Sequence, residues 1–169
     1  GLMVSTTGSD TIMATPGKDV MDGLAGDDTI IGPGKGDQVI WGRGAGQDVI
    51  VNRGAGYIAI GAGMAPEDVK VERVGTSVVL SLETGERLDI QGWQEGGIDA
   101  ITFADGYTWD RQALREMTVY ATEAADEIRT WTGTRVLDGG SGSDSIYSGG
   151  SSGAAQVLRG GDGYDVIQA

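Results

Sequence analysis

The sequence predicts an all-β chain, in which two coils of short parallel strands flank an antiparallel β-rich unit with one short helix. Three observations predict it. A unit of nine to eleven residues, with glycine two places before an aspartate and a large aliphatic residue two places after it, recurs near both ends. Between those blocks the apolar period falls to two, the period of a half-buried strand. The 31 glycines against 3 prolines exceed ordinary usage without the every-third-residue rule of a triple helix, which points to a repeat architecture.

The clearest copies are Gly23-Leu24-Ala25-Gly26-Asp27-Asp28-Thr29-Ile30-Ile31, Gly139-Gly140-Ser141-Gly142-Ser143-Asp144-Ser145-Ile146-Tyr147 and Gly160-Gly161-Asp162-Gly163-Tyr164-Asp165-Val166-Ile167-Gln168. They read G-G-x-G-x-D-x-U-x, with U a large aliphatic and Leu24 in the second glycine place. Six glycine-rich residues ending in aspartate turn tightly, because glycine reaches positive φ without a steric penalty. They can aim several carbonyls and one carboxylate at a common point. Oxygen-only donors suit Ca²⁺, which takes about 6 to 8 oxygens. The remaining x-U-x is one short strand whose middle side chain points opposite its neighbours.

The first block, 1–62, carries the cores Gly8-Ser9-Asp10-Thr11-Ile12, Gly17-Lys18-Asp19-Val20-Met21, Gly26 to Ile30, Gly36-Asp37-Gln38-Val39-Ile40 and Gly46-Gln47-Asp48-Val49-Ile50, with Gly56 to Ile60 as a worn sixth. The glycine steps are 9, 9, 10, 10 and 10. Counted this way, Gln38 and Ile58 fill the aspartate place of the fourth and sixth turns; a step of nine would instead put Asp37 there.

In the middle unit, 63–120, Val69, Val71 and Val74, then Val78, Leu80 and Leu82, then Leu88 and Ile90, then Ile101 and Phe103 mark four strands of a meander. Glu83 to Glu86 and Asp105-Gly106 supply turns. Asp110 is a candidate N-cap for a short helix over 111–117. Trp93, Phe103, Trp109 and Leu114 are expected to close the open edge of the first coil.

The second block, 121–169, repeats the pattern around Asp126, Arg135, Asp144, Ala155 and Asp165, with glycine-place steps of 9, 9, 11 and 10. One half-turn per repeat puts odd turns on one edge and even turns on the other. The odd turns carry Asp10, Asp28 and Asp48, then Asp126, Asp144 and Asp165, and calcium is expected between stacked neighbours there. Carbonyls of Gly23, Ala25, Gly26, Gly46, Gly139, Ser141, Gly142, Gly160 and Gly163 are the expected partners. Asp162 is a further candidate, with a solvated face as its plainer reading. Asp19 stands alone on the even edge and would need a partner. Even edges are expected to be mostly ion-free, Arg135 above all, since a guanidinium there repels the ion. Inside, Ile12, Ile30 and Ile50 should face Met21, Ile40 and Ile60, and Ile128, Ile146 and Ile167 should face Leu137 and Val157.

Twenty-five acidic against 12 basic residues give a formal net charge of -13, a surface that repels nucleic acid and attracts divalent cations. With no cysteine and no histidine, disulfides, zinc sites and Cys or His catalysis are excluded. Two catalytic look-alikes therefore fall away: G-x-S-x-G at 149–153 has no histidine to serve it, and G-x-G-x-x-A at 54–59 has no βαβ unit around it. No run of 18 apolar residues marks a transmembrane helix. Because it begins at Gly1, the chain is expected to be part of something larger.

The repeats resemble RTX haemolysin-type calcium-binding repeats, and the stretch from Gly63 to Trp109 is similar to the haemolysin-type calcium-binding-protein-related domain that often follows them. The resemblance implies a parallel β-roll in a bacterial protein exported by type I secretion machinery, extracellular or at the cell surface, and folded by calcium there. It does not imply one activity. The alternative is a receptor- or polysaccharide-binding module of an adhesin or toxin, with Trp41 and Trp131, each just after a U strand, as stacking platforms for a glycan.

Overall fold

The computed structural model describes residues 1–51, 56–74, 77–91, 98–110, 113, 118–120, 124–125, 127–129, 136–147 and 157–168. They are almost all β, and the chain divides into two compact units, residues 1–70 with 77–110, and residues 71–76 with 111–169.

The first unit starts as a two-sided coil. Strands β1 (Leu2–Val4), β3 (Val20–Asp22), β5 (Asp37–Trp41) and β7 (Gly56–Ile60) stack in parallel on one side. On the other side stand β2 (Thr11–Met13), β4 (Thr29–Ile31) and β6 (Gln47–Val51). Odd and even turns thus lie on opposite edges, as the half-turn reading requires. Strands β2, β3 and β4 bury only their central residue, because the side-chain period of two sends both neighbours outward.

The same two sheets continue without interruption into the middle of the sequence. β10 (Arg87–Gln91) lies parallel to β6 with Ile90 opposite Ile50, and antiparallel to β9 (Ser77–Ser81). β11 (Ala100–Thr102) lies parallel to β7 with Ile101 opposite Ile58, and antiparallel to β12 (Thr108–Asp110). Of the expected meander, the strands through Leu80 and Ile90 are a hairpin added to one sheet of the coil, whereas the strand through Ile101 joins the other sheet, in a hairpin with β12. A 3₁₀ turn at Pro66–Asp68, not foreseen from the sequence, is held by the N–H of Ala65 on the Asp68 carboxylate at 2.8 Å.

One aliphatic core runs through the unit. Ile12, Ile30, Ile50, Ile90 and Val78 line one sheet, and Met21, Val39, Ile58 and Ile101 the other, all buried. Phe103 meets Trp109 edge-on at 4.8 Å, and both are buried.

The register of the fourth strand corrects the sequence reading. Val39, not Ile40, lies opposite Met21 and Ile58, while Trp41 pairs with Ile60. The glycine step misleads here because Gly36, in the left-handed region at φ 90, directly precedes Asp37 instead of standing two places before the aspartate.

In the second unit, β8 (Lys70–Val74), β13 (Thr118–Tyr120), β15 (Val136–Asp138) and β17 (Val157–Arg159) are successive neighbours, while β14 (Glu127–Arg129), β16 (Ser145–Tyr147) and β18 (Val166–Gln168) form a parallel three-stranded sheet. Leu158, not Val157, sits opposite Leu137, so the fourth repeat of this block also slips by one residue. Ile146 is fully buried; Ile167 is in register with it yet 44% exposed, since β18 is the outermost strand of its sheet. Of the expected helix over 111–117, Ala113 is helical and the other residues lie outside the described ones, as do Trp93, Trp131, Arg135 and Ala155.

Candidate metal centre

Each odd turn of the first unit hangs on the next through its aspartate. The backbone N–H of Asp10 donates to Oδ1 of Asp28 at 2.8 Å, and that of Asp28 to Oδ1 of Asp48 at 2.9 Å. In the second unit the N–H of Asp144 donates to Oδ1 of Asp165 at 3.0 Å. The expected pairs Asp10/Asp28, Asp28/Asp48 and Asp144/Asp165 are therefore brought together. Asp126, and with it the pair Asp126/Asp144, lies outside the described residues.

The glycines make this spacing possible. A Cβ on Gly23 would strike Oδ2 of Asp28, and one on Gly160 would strike Oδ2 of Asp165. One on Gly139 would come within 2.6 Å of Oδ2 of Asp144. Gly26, Gly46, Gly142 and Gly163 all have positive φ, and a Cβ on any of them would collide with the backbone of the preceding turn of the same edge. Two further contacts bind the turns of the second unit, from the N–H of Gly142 to the carbonyl of Asp162 at 2.9 Å and through a bridge between Ser141 and Asp162. The backbone of Asp162 thus belongs to the stack; its side chain, on an exposed residue, fits the plainer solvated reading. Ala25, half-buried, completes the turn above Asp28.

The electrostatics are those of a site short of positive charge. Asp28, Asp48 and Asp144 are buried, at 1%, 4% and 1% exposure. Oδ2 of Asp28 is shielded from solvent and has no hydrogen-bond partner, a condition a carboxylate oxygen does not sustain without a compensating group. Burial, followed by the charges of Asp28 and Asp27, pushes the Asp48 carboxyl up to about 6. Burial likewise raises Asp28, with the neighbouring carboxylates of Asp10, Asp27 and Asp22 adding to it. Among the described residues no three acidic side chains converge on one point, so a cation here would draw most of its oxygens from turn carbonyls. A small glycine cradle, one open carboxylate oxygen and surrounding carbonyls form an all-oxygen donor set, which fits Ca²⁺.

The even edge differs from the sequence reading. Asp37, one residue before the expected Gln38, takes the aspartate place, and the N–H of Asp19 donates to its Oδ1 at 2.8 Å. Asp19 therefore has its partner, and the edge carries its own short stack. Both oxygens of Asp37 are engaged, the second by the N–H of Gly34 at 2.7 Å. Gly56, not Ile58, follows Asp37 in this row. For Asp37 this is the register that a step of nine gives, the alternative that the sequence left open.

Trp41 does not serve the alternative glycan-binding reading. It is 1% exposed and packed inward on β5, so it offers no face to a sugar.

These features define a cation-binding coil of stacked turns. The family model of the RTX calcium-binding nonapeptide repeat matches residues 4–32 and 136–153, one stretch in each block. The chain therefore carries RTX calcium-binding repeats, and repeats of this family bind Ca²⁺. No curated protein matches the chain. Among solved structures, the crystal structure of extracellular lipase LipA from Serratia marcescens is similar over 100% of this chain, at 16% identity and a TM-score of 0.28. The chain spans 28% of the length of that protein.

Proposed function

We propose that this chain is a calcium-responsive folding module of a secreted bacterial protein, held open where calcium is scarce and ordered by extracellular calcium after type I export. The observation that carries the reading is Oδ2 of Asp28, buried and unpartnered inside a glycine cradle. In this reading Asp28, Asp48, Asp144 and Asp165 supply the carboxylates, and the carbonyls of Gly23, Ala25, Gly26, Gly46, Gly139, Ser141, Gly142, Gly160 and Gly163 the remaining oxygens. Stacked aspartates repel one another without a cation, and a narrow core of one large aliphatic per rung only weakly opposes the ordering entropy. Ion binding and folding are then one event.

The blocks 1–62 and 121–169 act as the ion-binding parts, and 63–120 as the part that closes the first coil without metal. The repeats themselves carry no catalytic group, so any enzymatic activity belongs to the rest of a larger parent. Calcium titration of Asp28→Ala and Asp144→Ala tests the reading, each being expected to weaken the coupled folding transition. Burial of Trp41 removes one of the two platforms of the receptor- or glycan-binding alternative, and no other observation favours it.

A further inference from the structure

The residue four places before the aspartate sets two kinds of turn apart. In the first two turns that residue is threonine. Thr6 donates its N–H to Oδ2 of Asp10 at 2.8 Å and its hydroxyl to the same oxygen at 2.5 Å. Thr15 repeats this on Oδ2 of Asp19, at 2.7 Å from each donor. The nitrogen of Gly1 donates to the other oxygen of Asp19 at 2.6 Å.

In the turns of Asp28, Asp48, Asp144 and Asp165 the same place is left-handed, whereas the turn of Asp37 has Pro33 there and is closed by the N–H of Gly34 on Oδ2 at 2.7 Å. Leu24, Gly44, Gly140 and Gly161 have φ of 61, 82, 84 and 91. Leu24 is the single non-glycine residue with positive φ among the described residues. This conformation turns the N–H away from the aspartate of its own turn. The N–H of Leu24 goes back to Oδ1 of Asp22 at 3.0 Å, that of Gly140 back to Oδ1 of Asp138 at 3.1 Å, and that of Gly44 across to Oε1 of Glu86 at 2.9 Å. Oδ2 of Asp28 is left without a hydrogen-bond partner. A β-branched residue is a steric outlier at positive φ, and a threonine side chain readily bonds nearby groups. The choice of residue therefore selects the backbone state, and the backbone state decides whether a carboxylate oxygen is open.

We infer that, where the place four residues before the aspartate holds threonine or a left-handed residue, that residue decides whether the turn takes a cation: threonine closes the turn with its own N–H and hydroxyl, whereas a left-handed residue leaves it open to one. The inference rests on the calcium reading above and narrows it. Asp28, Asp48, Asp144 and Asp165 stand in turns with a left-handed residue at that place, and Asp10 and Asp19 in turns closed by threonine. Thr122 holds the same place before Asp126 in the sequence, and both lie outside the described residues.

The test is the number of calcium ions bound, by calorimetry on the full chain, with circular dichroism at saturating calcium as the check on folding. Thr6→Gly combined with Thr15→Gly should raise the count by at least one, and Leu24→Thr should lower it by at least one while Leu24→Gly keeps it. An unchanged count in the Thr6→Gly, Thr15→Gly chain overturns the inference, as does an unchanged count in Leu24→Thr. Should Leu24→Thr fail to reach the β-rich state, the two threonine replacements decide alone. Failure of the calcium reading looks different, since the wild-type chain would then bind no calcium at all.

Discussion

The backbone N–H of Asp28 donates to Oδ1 of Asp48 at 2.9 Å across 20 residues of sequence, although both residues are acidic and buried. The contact fixes the spacing of the odd edge and commits one oxygen of the later aspartate to the earlier turn. It also stacks two buried carboxylates, a build-up of negative charge that the proposed cation would offset.

Gly26 tests the closeness of that stack. Its φ is 120, and a Cβ there would sit 2.5 Å from the carbonyl oxygen of Gly8, whereas Gly63, with φ 78, has nothing within 4 Å. Gly63→Ala should cost about 1 kcal/mol from the left-handed backbone alone, and Gly26→Ala about 2 to 4 kcal/mol, since backbone must move as well. Urea unfolding at saturating calcium reads the difference.

A second prediction concerns protons. The folded-state pKa of Asp48 lies near 6, above the ordinary 3.8. Its charge therefore opposes the calcium-free fold fully above pH 6, and that opposition is relieved as pH falls from 6 toward 4. In EGTA the β content should rise between pH 7.5 and 5, while the calcium midpoint should move to higher concentration over the same range because protons compete for this carboxylate. Asp48→Asn should flatten the first dependence. Circular dichroism against pH checks both.

Much of this was legible in the sequence, because aspartate, glycine and aliphatic residues at fixed offsets constrain turn, ion and core together. The alternation of edges, the stacks Asp10/Asp28/Asp48 and Asp144/Asp165, and the rows through Ile12, Ile30 and Ile50 all follow from it. What escaped was register wherever the turn changed length. Gly36 and Gly153 advertised a repeat one residue out of phase, and a slip of one exchanges the two faces of a strand, which is how Val39 and Leu158 came to be passed over for Ile40 and Val157. The parallel pairing of β10 with β6 and of β11 with β7 was not legible either, because alternation marks a strand without naming its neighbour.

That pairing carries a third prediction. Ile50 and Ile90 face each other, both fully buried. Each alanine replacement should cost about 2 to 5 kcal/mol, and the double replacement should cost less than the sum because the pair shares one contact. Additive losses in a double-mutant cycle at saturating calcium would show that the hairpin does not brace the coil.

Trp41 gives a fourth. Because it is buried on β5, Trp41→Ala should cost about 3 to 5 kcal/mol of stability as a core truncation. Tryptophan emission of the calcium-saturated chain should be blue-shifted and unmoved by added glycans; quenching by a glycan that depends on Trp41 would reinstate the binding-module reading.

The most direct measurement is a calcium titration of the EGTA-treated chain, followed by far-ultraviolet circular dichroism and by calorimetry. A transition from a disordered to a β-rich spectrum, coincident with ion binding and weakened by both Asp28→Ala and Asp144→Ala, is the predicted result. A chain already fully β-rich in EGTA, with calcium adding no structure, would contradict the folding switch.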